Sequence, residues 1–242
     1  MGCSKFTFLL SVLALITFAA AEEIPASTPQ AALARYLAGV ERSSGDDESA
    51  ATRVEIQASI PKLGKRGYFR GIRRHAETGT PEYQVLEVGG DTTVKQQVIA
   101  RYLVAEAQAA AVPSSEIAIV PENYKFRYAG EILAAGRHVY VFEITPKKKR
   151  TGLIAGQLWI DTQTGAAVHE SGHLVKTPSV FVRRIEITRD SEMRENALIA
   201  RVTHVDIDTR VAGRATLLIS EQPSDASIST LIAHNTAPER AQ

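Results

Sequence analysis

The sequence predicts an α+β fold in which one curved antiparallel sheet has helices filling its open side, and three observations carry that prediction. Nine or ten short runs read as strands; only two stretches show the helical period; and Gly, Pro, Asp or Thr separates most of the runs. A parallel arrangement needs a helix between most successive strands, which two helices cannot supply. A sheet covered in this way tends to leave an apolar cleft between its layers.

The amino terminus carries Lys5, an apolar run from Phe6 to Phe18 and then Ala19, Ala20 and Ala21. This is the pattern of an export signal cleaved near Ala21, and its run of roughly thirteen residues is too short to span a bilayer as a helix. Cys3 is the only cysteine and precedes the run, so the mature chain has no disulfide, no Cys-bound metal and no lipoprotein cysteine of its own. Residues 22–31 are read as a polar linker ending in a helix start, with Ser27 and Thr28 as caps and Pro29 in the first turn.

A single domain is expected over residues 32–220. Leu33, Tyr36, Leu37 and Val40 form the apolar stripe of its first helix, which "SSGDD" stops. From Arg53 to Ile60 the period becomes two, with Val54, Ile56, Ala58 and Ile60 on one face. Strand-like runs follow at "GYFRGIRR", "EYQVLEV", "YKFRYAGEIL", "HVYVFEIT", "LIAGQLWID", "AAVHESGHLV", "VFVRRIEITR", "ALIARVTHVDI" and "RATLLIS". Between the second and third of these lies a long helix capped by Asp91 or Thr92, with Val94, Val98, Tyr102, Ala105 and Ala109 as its stripe and Pro113 beyond its end. Both faces of "HVYVFEIT" are partly apolar, so a central strand covered on each side is expected there. Residues 221–242 read as a polar, mobile tail.

The chain has 242 residues and a formal net charge of +1, so no global attraction to nucleic acid or anionic lipid is implied. The segment "PKLGKRGYFRGIRRH" has six basic residues interleaved with Tyr68 and Phe69, but an exported chain of near-neutral charge argues against nucleic-acid binding. The run Lys147, Lys148, Lys149 and Arg150 reads as a solvated hairpin end, or as a contact with an anionic membrane surface or acidic partner. No phosphate loop or nucleophile elbow is present, and no cofactor is expected.

The stretch "AAVHESGHL" spells H-E-x-x-H with His169, Glu170 and His173. In zinc peptidases that pattern lies on a helix, where residues four apart share a face and reach one ion while the Glu polarises water. Here "DTQTG" precedes it as a turn, with Asp161 and Gly165 suited to a hairpin, so the motif reads as a returning strand. On a strand, residues four apart are separated by about 13 Å, too far to share one zinc ion without a sharp bend, which Gly172 could supply. Ser171 and Gly172 are poor helix formers, and Lys176 and Ser179 stand where the longer metzincin pattern needs Gly and His.

The order of signal, amphipathic helix, strand pair and "YVFEITPKKKRTGLIAGQLWIDTQTGAAVHESGHL" resembles the periplasmic lipoprotein-carrier (LolA-like) and outer-membrane lipoprotein-sorting proteins, over roughly residues 32–220. That resemblance implies an incomplete, strongly curved barrel whose concave face holds helices and an apolar cavity for acyl chains, without catalysis. It implies a framework built on Tyr140, Phe142, Pro146, Lys147, Leu158, Trp159, Ile160 and Asp161, of which Tyr140, Phe142, Leu158, Trp159 and Ile160 are the candidates to line a cavity. The expected function is that of a periplasmic or secreted, non-enzymatic carrier for a lipid or lipoprotein acyl chain. The alternatives are a zinc-dependent hydrolase using His169, Glu170 and His173, and a structural cell-envelope protein. The Lys147–Arg150 run, the basic segment around residues 65–74 and the polar tail depart from the carriers.

Overall fold

The computed structural model describes residues 28–43, 51–76, 79–194, 197–210 and 213–224. Residues 1–21, read above as an export signal, with Cys3, most of the segment read as a linker and the residues beyond 224, lie outside the described residues. Ten antiparallel strands form one open sheet: β1 (Thr52–Ile60), β2 (Lys65–His75), β3 (Pro81–Gly90), β4 (Tyr124–Ala134), β5 (Arg137–Pro146), β6 (Ile154–Asp161), β7 (Ala167–Leu174), β8 (Val182–Arg194), β9 (Ala197–Thr209) and β10 (Arg214–Pro223). Their spatial order is β3-β2-β1-β10-β9-β8-β7-β6-β5-β4, so β3 and β4 are free edges and the sheet does not close. It consists of two meanders, β1 to β3 and β4 to β10, joined by pairing of β1 with β10.

The predicted strands all form; alternation puts the apolar residues of inner strands such as β1 and β10 on one buried face, whereas the edge strands β3 and β4 leave Val85, Leu86, Val88 and Leu133 exposed. Val54, Ile56, Ala58 and Ile60 are buried on β1 as expected. The segment 221–223, read as tail, is instead the end of β10, where Glu221 stays on the apolar phase of Leu217 and Ile219. "HVYVFEIT" is not central: β5 lies second from the β4 edge, although Val139 and Val141 on one face and Tyr140 and Phe142 on the other are all buried.

Two helical layers cover the same face of the sheet. The helix α1 (Pro29–Ser43) lies over β6, and α2 (Thr92–Val94), a π turn (Lys95–Ile99) and α3 (Ala100–Ala110) run continuously over β1 to β3. The side chain of Asp91 caps this second layer by accepting from Thr93 N at 2.7 Å. The π turn adds a residue to one turn and rotates the buried side, so Val94, Val98 and Ile99 are buried while Ala105 and Ala109 of the expected stripe are exposed. A short helix α4 (Ser114–Ile117), unexpected from sequence, precedes β4.

The core is split in two. Under α2 and α3, Val54, Ile56, Phe69, Val98, Leu217 and Ile219 form one cluster. Under α1, Ala32, Tyr124, Tyr140, Phe142, Leu158 and Ile160 form the other. Where β6 meets β7, Gly156 stands opposite Gly172, and a Cβ on Gly156 would come within 1.9 Å of Ser171 O. Only glycine permits so close an approach of two strands.

Candidate functional site

Strand β7 places His169 and His173 on the face away from the helices and Glu170 on the helix face, because successive side chains alternate. The Nδ1 of His169 lies 2.7 Å from Asp190 Oδ1, and its ring stacks on Trp159 with centroids 4.1 Å apart. In the same strand ladder His173 stands between Ala155 and Glu186. On the opposite face Arg189 donates to Glu170 at 2.7 Å. Acid and imidazoles therefore cannot converge on one ion, and Gly172 serves the approach to β6 rather than a bend that would unite them. Among the described residues, no group of three or more His, Cys, Asp or Glu is placed to hold a metal.

The turn before β7 forms as its residues require. The Asp161 carboxylate accepts from Gln163 N, Thr164 N and Thr164 Oγ1 at 2.8–3.0 Å, and Gly165 takes φ +76°. Of the five candidate cavity residues, Tyr140, Phe142, Leu158 and Ile160 come together on the helix face, 0–6% exposed. Trp159 does not join them, since the alternation of β6 turns it outward against His169. Lys147, Lys148 and Lys149 are exposed together, whereas Arg150 is drawn off to Glu116 at 3.1 Å.

Between the two apolar clusters the helix face changes character. One ladder line runs from Ile56 through Ile219 to Thr203, Arg189 and Glu170 before becoming apolar again at Leu158 and Phe142. The adjacent line passes from Val54 to Glu221, Arg201 and Ser191. These residues form a charged seam, which α3 completes with Glu106. Arg73 of β2 pairs with both Glu106, at 2.7 Å, and Glu221, at 2.6 Å, and Glu106 also accepts from Tyr83 Oη. Burial opposes the Arg73 charge, but Glu221 and Glu106 outweigh it and hold its pKa above the ordinary value.

Arg201 is arranged differently. Its Nε reaches Ser191 Oγ at 3.4 Å, and no carboxylate among the described residues lies within ion-pair distance. Burial, with the charge of Arg189 beside it, lowers its pKa. Each helical layer brings a tyrosine to the seam. Burial and then Glu170 push the Tyr36 hydroxyl of α1 above its ordinary value, and burial and then Glu106 do the same to Tyr102 of α3. Two open clefts, of about 520 and 620 Å³, lie mainly on the other face, the first beside His173 and Glu186 and the second beside Tyr68 and His204.

The sequence held a signal for the seam. Glu170, Arg189, Arg201 and Glu221 each sit on the apolar phase of a strand, two positions from Gly172, Ile187, Thr203 and Ile219 respectively. A charge on the buried phase of an alternating strand needs a partner across the sheet.

No family model matches the chain, and no curated protein matches it. The solved structures similar to it include a LolA superfamily protein from Nitrosomonas europaea, at 12% identity and a TM-score of 0.39, covering 83% of this chain and 95% of that one. Another is an outer membrane lipoprotein-sorting protein domain, described as putative, from Vibrio parahaemolyticus (10% identity, TM-score 0.32, covering 79% and 90%). A third is MucB in the MucA/MucB complex of Pseudomonas aeruginosa (13% identity, TM-score 0.24, covering 81% and 95%). Two of these three are thus named as LolA superfamily or lipoprotein-sorting proteins. At these identities and TM-scores neither membership nor function passes from them to this chain. Among the described residues no helix is long and apolar enough to cross a membrane.

Proposed function

We propose that this chain is an exported, non-enzymatic binding or carrier protein that holds an apolar chain, such as that of a lipid or lipoprotein, between α1 and the sheet. One observation carries the reading. Of the apolar residues on α1, Ala32 alone is fully buried; Leu33, Tyr36 and Leu37 are half-buried, while Phe142, Leu158 and Ile160 beneath are 0–4% exposed. Leu37 belongs to neither apolar cluster. A helix whose stripe is incompletely covered over a finished apolar floor can lift to admit an acyl chain, with Tyr140, Phe142, Leu158 and Ile160 as that floor. The exposed Lys147, Lys148 and Lys149 would meet anionic headgroups at a membrane surface.

Delipidated protein incubated with phospholipid or a lipopeptide and analysed by native mass spectrometry should retain one chain-bearing adduct, weakened by Leu37→Asp. Protein that emerges free of adduct, together with an α1 that exchanges its amide hydrogens no faster than α3, would count against the reading. A stable copurifying protein without any adduct would favour a structural role in the envelope.

A further inference from the structure

The three carboxylates of the seam are already committed. Arg73 engages Glu106 and Glu221, and Arg189 engages Glu170. That leaves the Arg201 guanidinium with only a long contact from Nε to Ser191 and both terminal amino groups without a protein partner among the described residues. The hydroxyls of Tyr36 and Tyr102 are in the same condition, with no hydrogen-bond partner among those residues. None of these groups is sealed from solvent, because Arg73 Nε is the one side-chain atom found both buried and unpartnered there.

A half-buried guanidinium with unmade N–H bonds is costly unless something reaches it. Its planar fork fits two oxygens of one anion, so a carboxylate or phosphate satisfies it better than water. The two tyrosines come from different helices, Tyr36 beside Glu170 and Tyr102 beside Glu106, Glu221 and Arg189, so each helix brings a donor to the seam. An anion bound there also offsets the repulsion between Arg201 and Arg189, which Glu221 and Glu170 counter without pairing with Arg201.

We infer that the seam is a headgroup site, where Arg201 with the hydroxyls of Tyr36 and Tyr102 binds the carboxylate or phosphate of an amphiphile whose chain lies under α1. The placement of the chain rests on the function proposed above; the anion site stands on the seam alone. The ligand class is then an anionic amphiphile such as a fatty acid or an alkyl phosphate, rather than a neutral lipid.

The test is calorimetric titration of the full chain with dodecanoate, dodecyl phosphate and dodecanol, each below its micellar concentration, and with inorganic phosphate alone. The expected result is that one or both anionic chains bind about tenfold or more tighter than dodecanol, and that Arg201→Gln removes the difference while leaving dodecanol binding unchanged. Arg201→Lys should restore part of it, and Tyr36→Phe with Tyr102→Phe should reduce it; a thermal melt of each variant confirms folding. Whichever of dodecanoate and dodecyl phosphate binds tighter distinguishes a carboxylate ligand from a phosphate one. Equal affinity for anionic and neutral chains, or a preference that survives Arg201→Gln, overturns the inference while leaving the apolar-chain reading in place. If no chain binds, the proposed function fails. Phosphate binding lost in Arg201→Gln then upholds the anion site, and its absence removes that as well.

Discussion

The two halves of the core are covered by helices seated in different ways. On the β1 side, Asp91 caps the helical layer, Val94, Val98 and Ile99 are buried, and Glu106 is tied to Arg73 of β2. On the β6 side, α1 buries Ala32 alone and is pinned by the contact of Arg35 with Thr162 O at 2.8 Å, on its exposed side. One helix is tied to the sheet by a buried stripe and an ion pair; the other rests on it through a stripe that is only partly covered. The difference teaches that the two layers open at different cost, and the function proposed above uses the more weakly held one.

The largest effect is expected where the two halves meet. Gly156→Ala would drive a methyl group into Ser171 O, so the variant should lose about 3 kcal/mol or more and fail to give a cooperative melt. A soluble variant with an unchanged melting temperature would show that the β6–β7 junction is looser than described. Next comes Arg73→Ala, which strands Glu106 and Glu221 in a largely buried site and detaches α3. A loss of about 3–5 kcal/mol in urea unfolding is expected.

A direct contrast between the layers follows. Ile99→Ala should cost about 2–5 kcal/mol and Leu37→Ala less than about 1 kcal/mol, because only the first leaves a cavity in a packed core. Equal losses would erase the distinction between seated helix and cover. The smallest effect concerns pH. Tyr102 has its pKa raised above the ordinary 10.0, so above that pH the unfolded chain releases a proton that the folded one keeps. The stability associated with the neutral phenol is complete below pH 10 and declines as pH rises from there, and Tyr102→Phe should flatten urea midpoints measured between pH 9 and 11. The same decline in the variant would assign it to other groups.

The strands were legible because a two-residue period with turn punctuation is a local property. "DTQTG" read correctly as a hairpin turn, and that one segment decided that His169, Glu170 and His173 lie on a strand. The seam was harder to see. Arg73, Glu106, Glu170, Arg189, Arg201 and Glu221 come from six elements, and only the register of six strands brings them together. A one-residue slip in any pairing would send a charge to the opposite face. Trp159 shows the same limit: the family resemblance made it a cavity candidate with Leu158 and Ile160, and alternation alone removes it. The π turn, which shifts the buried side of the second helix, has no signature in the spacing of Val94, Val98 and Tyr102.

The pairing of β1 with β10 has a consequence for how the molecule comes into being. Thr52 is partnered by Pro223, so the middle of the sheet is closed by strands at opposite ends of the sequence, while every other pairing joins neighbours along the chain. Hairpins from β4 onward can zip up as they are synthesised, but the edge of β1 that carries Val54, Ile56 and Ala58 stays unpaired until the last strand arrives. Such a late, long-range closure makes folding slow and puts its rate-limiting loop at the scale of the whole domain.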